Sequence, residues 1–235
     1  MDAGKRERLE SARERISSAC KSAGRQLSEV TLVAASKTKP WGDLADLALL
    51  GVKDFGENYV QEALEKQSAA AQAGIIDLRW HLIGTLQSNK AKFVPGHFCL
   101  FHALDSLSLA TKLNAQAASA GLVQECLLEV NVDLESTKGG VAESHLQKMI
   151  AQLNALKNIR LLGLMCIPAP APGRDARAPF AKLRTLRDQM NKDAIYREKL
   201  TALSMGMSAD FEAAILEGAT HIRVGTTLFG ERARR

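Results

Sequence analysis

Ser204-Met205-Gly206-Met207-Ser208-Ala209-Asp210-Phe211 follows a short apolar run, Thr201 to Leu203, and precedes a pattern in which Phe211, Ala214 and Ile215 recur at i, i+3 and i+4. That spacing is one face of a helix, so the stretch reads as a strand, a small polar turn and a helix start. Glycine and hydroxyl residues in such a turn let backbone N–H groups face outward, and the helix start adds partial positive charge. The product is a site for an anion, most often phosphate. A second small turn, Arg223-Val224-Gly225-Thr226-Thr227, ends another apolar run.

The same strand-turn-helix unit repeats along the chain. Strand-length apolar runs fall at Val30–Ser36, Lys53–Phe55, Trp80–Gly84, Phe98–Leu104, Glu125–Val132, Arg160–Ile167, Leu203–Met205 and His221–Gly225. Between them lie helical patterns at Gly42–Leu50, Asn58–Ala73, Leu86–Phe93, Ser106–Ala120, Val141–Lys157, Arg177–Asp193 and Ser208–Glu217. Strict alternation implies parallel strands joined by crossover helices. Eight strands imply an α/β fold of the closed (β/α)8 TIM-barrel type. An open doubly wound sheet is the weaker alternative, because no G-x-G-x-x-G follows the first strand. Little chain remains after the eighth strand, so the amphipathic segment Lys5–Gly24, with Leu9, Ala12, Ile16, Ala19, Cys20 and Ala23 on one face, is expected to pack outside the barrel where an eighth helix belongs. Residues 1–235 are read as one domain, with residues 1–24 as that extra N-terminal helix. Four prolines, Pro168, Pro170, Pro172 and Pro179, mark a loop after the sixth strand.

Composition agrees with a globular chain. The 235 residues are 46% hydrophobic and 24% charged, with net charge +5. The basic residues are spread along helix faces and form no tract, which argues against a nucleic-acid surface. Cys20, Cys99, Cys126 and Cys166 lack metal-ligand spacing and read as small core residues in a reducing compartment. No apolar stretch reaches the roughly 20 residues of a membrane span, and no secretory leader opens the chain. A cytoplasmic monomer without membrane or nucleic-acid partners is expected.

In a (β/α)8 barrel the site lies where strands end, and phosphate is often held after the last two strands. Those turns are Ser204–Ser208 and Gly225–Thr226. Closure places strand eight beside strand one, which ends in Ser36-Lys37-Thr38-Lys39-Pro40. Alternation points Lys37 inward with Val33 and Ala35. An amine in an apolar mouth is pushed toward its neutral form and becomes a candidate for a Schiff base to pyridoxal phosphate. A lysine that reaches past the strand end to solvent is the structural alternative. Arg223 shares the inward parity and needs a partner: either a ring nitrogen or a carboxylate such as Glu57 or Glu129. Asn58 reads as a ring contact or a helix cap, and His81 and Met165 as mouth residues or core.

Ser36-Lys37-Thr38-Lys39-Pro40, Phe55-Gly56-Glu57-Asn58-Tyr59-Val60-Gln61-Glu62, Trp80-His81 with Leu86-Gln87-Ser88-Asn89-Lys90, Ser204 to Phe211, and Arg223 to Arg232 together resemble the pyridoxal phosphate homeostasis protein family. That family is similar to the barrel domain of alanine racemases. The resemblance implies that pyridoxal 5′-phosphate is the cofactor and Lys37 carries it as an aldimine. It also implies a phosphate held by Ser204, Met207, Ser208, Gly225 and Thr226, with Arg223 near the ring nitrogen and Asn58, His81 and Met165 around the ring. The implied role is a binding and homeostasis protein that delivers the cofactor to apo-enzymes without efficient turnover. An amino-acid racemase is the alternative reading. It is disfavoured because Tyr59 and Tyr196 match no second acid/base and no second domain follows.

Overall fold

A computed structural model describes residues 3–133, 139–169 and 175–230. Nine strands follow in chain order: β1 (Thr31–Ala35), β2 (Asp54–Glu57), β3 (Arg79–Leu82), β4 (Leu100–Leu104), β5 (Gln124–Asn131), β6 (Val141–Ala142), β7 (Ile159–Met165), β8 (Ala202–Met207) and β9 (His221–Val224). The helices are α1 (Ala3–Ser22), α2 (Trp41–Leu49), α3 (Val60–Gln72), α4 (Leu107–Ser119), α5 (Glu143–Leu153), α6 (Ala178–Lys192), α7 (Phe211–Leu216) and α8 (Thr226–Phe229).

Every strand pair is parallel, and the ladders form a ring. β1 pairs with β2 and β9, and β4 pairs with β5, so eight strands close into a barrel and the TIM-type expectation holds. β6 stands outside the ring, its Val141 and Ala142 paired with Val130 and Asn131 at the far end of β5. The sequence pattern placed Val141 in a helix. The long β5 overruns the barrel rim, and its free edge captures these two residues before α5 begins.

Two apolar layers result from the alternation of side chains. Ala34, Phe55 and Leu82 face outward and are buried with Leu44, Leu47, Leu113, Ile150, Leu183 and Phe211 in the main core. Val33, Gly56 and Ile83 face inward: a methyl built on Gly56 would lie 2.9 Å from both Val33 and Ile83. α1 packs on α7, α8 and α2, over the seam between the last strand and the first. Leu9, Ala12, Ile16, Ala19 and Cys20 are its buried face, as their spacing predicts.

Other boundaries differ from the sequence reading for local reasons. Leu86–Phe93 was read as an α-helix but is a 3₁₀ helix over Ser88–Phe93, in which only Ala91 is buried. An α-helix there would have no stripe to bury. Pro179 lies in the first turn of α6, where its missing N–H costs nothing. Pro168 does follow β7, while Pro170 and Pro172 lie outside the described residues. The helix after β8 has only six residues, so its dipole is short.

Gly206 makes the turn before α7 possible. Its φ is +88°, and an added methyl would lie 2.5 Å from Ala214 Cβ and 2.9 Å from Phe211 Cα. Gly206→Ala is expected to destabilise by about 2–4 kcal/mol, since strain and overpacking add. Gly74→Ala shares a positive φ of +72° with nothing within 4 Å. It is expected to cost only about 1 kcal/mol. Urea denaturation of the two variants checks this; equal losses would show that contact with α7 carries no weight.

Candidate functional site

A cavity of about 300 Å³ opens at the C-terminal ends of the strands. Ala35, Lys37 and Lys39 reach it from the end of β1, and Asn58 from the end of β2. Met207, Ser208 and Ala209 come from the turn after β8, and Arg223, Gly225 and Thr226 from β9 and its turn. Ile83, Ile167 and Gly230 complete the wall. A larger hollow of about 650 Å³ lies at the opposite mouth, against Arg79, Trp80, Cys99, Glu125 and Arg160. It has no matching convergence of amines and turn amides, so the smaller cavity is the candidate site.

Seven of the ten residues expected from the sequence line this cavity: Lys37, Asn58, Met207, Ser208, Arg223, Gly225 and Thr226. Barrel closure brings them together. In the β1–β9 ladder Val33 lies opposite Arg223 and Ala34 opposite Val224, so the Lys37 turn runs on beside the Gly225 turn. Asn58 precedes α3 without capping it, the cap position being Tyr59. It can reach the wall because Gly84 has no side chain: a methyl there would fall 2.7 Å from the Asn58 backbone.

The two small turns are tied to each other. Ser208 Oγ accepts the N–H of Gly225 at 3.2 Å and of Thr227 at 3.3 Å. Asp210 Oδ1 accepts the Met207 N–H at 2.6 Å. The Gly225 and Thr227 amides therefore converge on the Ser208 hydroxyl, while the Met207 amide goes to Asp210; Lys37 and Lys39 lie in the same wall. α7 has six residues and α8 four, so their helix dipoles are short.

Arg223 is buried, its guanidinium donating to Ser204 Oγ and, at 2.9 Å, to the carbonyl of Cys166. Burial pulls its pKa below the ordinary arginine value. Neither carboxylate alternative forms that bond. Glu57 points outward to α3, and burial raises the pKa of Glu129 with only partial relief from the Arg223 charge.

Three expected site residues do not line the cavity. Ser204 is fully buried and spends its hydroxyl on Arg223 and on His102 Nδ1, 2.8 Å away. His81 lies deeper in the barrel, 2.9 Å from Asp54 and 3.0 Å from His102. Met165 is packed in the main core. The sequence reading missed the wall positions Ile83, Ile167 and Lys39. Inward parity with His81 would have marked Ile83; no local signal marks the other two.

A second charged cluster braces the Lys37 turn from outside. Ser36 Oγ donates to Glu57 Oε1 at 2.5 Å, and Lys66 donates to the same oxygen at 2.7 Å. Lys66 also donates to the Ser36 carbonyl and to Glu62, while Glu62 accepts the N–H of Thr38, which has a φ of +64°. Burial raises the Glu57 pKa, with the bonds from Lys66 and Ser36 offsetting part of the rise.

The family comparisons agree with this architecture. The chain belongs to the alanine racemase N-terminal domain family, whose model matches residues 9–233. More particularly, it is a member of the pyridoxal phosphate homeostasis protein family, as the sequence motifs implied. The relative of that name from Aquifex aeolicus is 45% identical over 96% of this chain and 97% of its own length. The one from Pseudomonas aeruginosa is 44% identical over 93% and 91%. The structure of PipY of Synechococcus elongatus with PLP bound is 39% identical, with a TM-score of 0.78 over 92% of this chain and 100% of that one. Alanine racemase of Clostridium difficile, at 17% identity and a TM-score of 0.73 over 98% of this chain and 57% of that one, shares the fold.

Lys66→Met is expected to cost about 3–5 kcal/mol at neutral pH by leaving Glu57 buried without its cation. The folded-state pKa of Glu57 lies above its ordinary value. Its contribution to stability is thus full below the unfolded-state pKa and lost as pH rises through the folded one. The deficit of the variant is therefore expected to shrink as the pH falls toward about 4. Urea titrations of both proteins across that range check the sign; a deficit that grows in acid would contradict the assignment.

Proposed function

We propose that this chain binds pyridoxal 5′-phosphate at the strand-end cavity and holds its aldehyde carbon covalently on Lys37. We read it as a reservoir that passes the cofactor to apo-enzymes and has no efficient turnover of its own. One observation carries the reading: an amine, two small turns that end β8 and β9, and a buried guanidinium line one cavity of about 300 Å³. That volume is the lower end of the range for small-ligand sites.

The residues divide the ligand between them. The turns at Met207–Ser208 and Gly225–Thr226 suit a phosphate dianion, and the two lysines lower its desolvation cost. Arg223 faces the ring nitrogen and, as a group that does not readily release its proton, leaves that nitrogen unprotonated. Asn58, Ile83 and Ile167 pack around the ring. When bound, the cofactor supplies an electrophilic aldehyde and an electron-withdrawing ring. An arginine at the nitrogen keeps that withdrawal weak.

The position of the tyrosines supports a carrier over a two-base racemase. Tyr59 is 62% exposed. Tyr196 is buried and hydrogen-bonded to the backbone of Leu161 and Ile159. Neither lines the cavity. The relatives also carry the name of homeostasis proteins and not of enzymes. Among the described residues no helix is long and apolar enough to cross a membrane. With the basic residues dispersed, a monomer acting in the cytoplasm on a small ligand completes the reading.

Lys37→Ala is expected to abolish the adduct that borohydride fixes, while binding persists about 10–100-fold weaker through the phosphate turns. Mass spectrometry of the reduced wild-type protein locates the pyridoxyl group. A label on another lysine would move the assignment. For turnover, the expected result is no sustained loss of optical rotation from alanine or other amino acids. Steady racemisation by the purified protein would defeat the carrier reading.

A further inference from the structure

A line of hydrogen bonds runs through the inside of the barrel and joins the cavity to the opposite mouth. Arg223 donates to Ser204 Oγ, which lies 2.8 Å from His102 Nδ1. His102 Nε2 lies 3.0 Å from His81 Nδ1, and His81 Nε2 lies 2.9 Å from Asp54 Oδ1. Asp54 is the first residue of β2, where it also takes a two-pronged bond from Arg79 of β3, at 2.7 Å from Nε and 2.5 Å from Nη2. All five chain members are buried.

The ends of this line set its direction. Arginine has only donors, and an ionised aspartate has only acceptors. Asp54 is held ionised: burial opposes this, but the bonds from His81 and Arg79 prevail and lower its pKa. A neutral His81 must then carry its proton on Nε2 to serve Asp54, which leaves Nδ1 bare. His102 must fill that gap with its own Nε2–H, and its bare Nδ1 takes the Ser204 hydroxyl proton. Ser204 Oγ is left with lone pairs toward Arg223. Burial keeps His102 neutral, reinforced by the charge of Arg223. Every donor thus points from Arg223 toward Asp54.

We infer that Asp54, Ser204, His102 and His81 are positioning residues for Arg223. The carboxylate at one mouth compensates the guanidinium at the other and fixes its plane at the ligand. This rests on the pyridoxal phosphate reading above. It gives a role to Ser204 and His81, which the cavity itself does not use. The charged and titratable groups facing the line are Arg79 on β3, Cys99 ahead of β4, His221 on β9, and Glu129, Asp210 and Cys166 near Arg223.

Two measurements test it. Nitrogen-15 NMR of histidine-labelled protein, without cofactor, is expected to show both His81 and His102 with the proton on Nε2 and a bare Nδ1, as the line of hydrogen bonds requires. An Nδ1–H tautomer or an imidazolium at either position overturns the line, and this arm needs no variant to fold. Titration with pyridoxal phosphate is the second. Ser204→Ala is expected to bind about 10-fold more weakly. Asp54→Asn is expected to shift the pH midpoint of the bound ligand's absorbance by about half a unit, and Asp54→Glu to restore it. A merely structural aspartate would alter stability without moving that midpoint. If the wild type binds and the variants match it in affinity and midpoint, this inference alone fails. If the wild type takes up no pyridoxal phosphate, the binding reading fails and takes this one with it.

Discussion

The parallel ladder between β1 and β9 is the constraint on which the rest depends. It runs from Thr31 opposite His221 to Ala34 opposite Val224 and joins the two ends of the chain. Each bond in such a ladder adds only about 1 kcal/mol net. Leaving the ladder open would strand buried backbone donors and acceptors, which costs more per group. Closure also decides chemistry, because the amine of Lys37 and the turn at Gly225 share a wall only across this seam. α1 covers the seam with Leu9 and Ile16 and ties Lys5 to Asp43 at 2.6 Å and to Asp46 at 2.9 Å on α2. The N-terminal helix therefore belongs to the site's support.

Buried charge is handled in two ways around this wall. Outside β2, the Glu57 carboxylate meets Lys66 directly, and the pair pins Ser36 on one side of Lys37 while Glu62, bonded to Lys66, holds the Thr38 N–H on the other. Inside the barrel, Arg223 has no carboxylate within hydrogen-bond reach: Glu129 and Asp210 act on it from a distance, and a line of hydrogen bonds runs from it through Ser204, His102 and His81 to Asp54. The direct pair is stiff and local. The extended line leaves the guanidinium face open toward the cavity. A guanidinium locked in a short ion pair would be turned away from a ligand ring.

The likeness to the racemase is one of fold. The barrel of Clostridium difficile alanine racemase superposes on nearly all of this chain but on little more than half of that one. A tyrosine poised across the ligand is what two-base proton transfer requires. Here one tyrosine is in solvent and the other is a backbone brace beneath β7.

Much of this was legible along the chain. Alternating apolar runs and helical stripes are local, each set by side-chain geometry over a few residues, and they carried the strand count and the closed barrel. Turn chemistry is also local, so Ser208, Gly225 and Thr226 could be picked out, and parity along β1 and β9 put Lys37 and Arg223 on the inner face. The shift of Val141 into a strand, the 3₁₀ turn at Ser88–Phe93 and the departure of Ser204, His81 and Met165 from the cavity were decided elsewhere. They depend on how far each strand is staggered against its neighbour in the closed ring. Stagger is a property of the whole circuit of ladders, and it sets which inward side chains meet at hydrogen-bond distance. The chain alone determined the alternation of strands and helices and the inward parity of Lys37 and Arg223. Only the closed barrel decided that Asp54, His81, His102, Ser204 and Arg223 stand in one line.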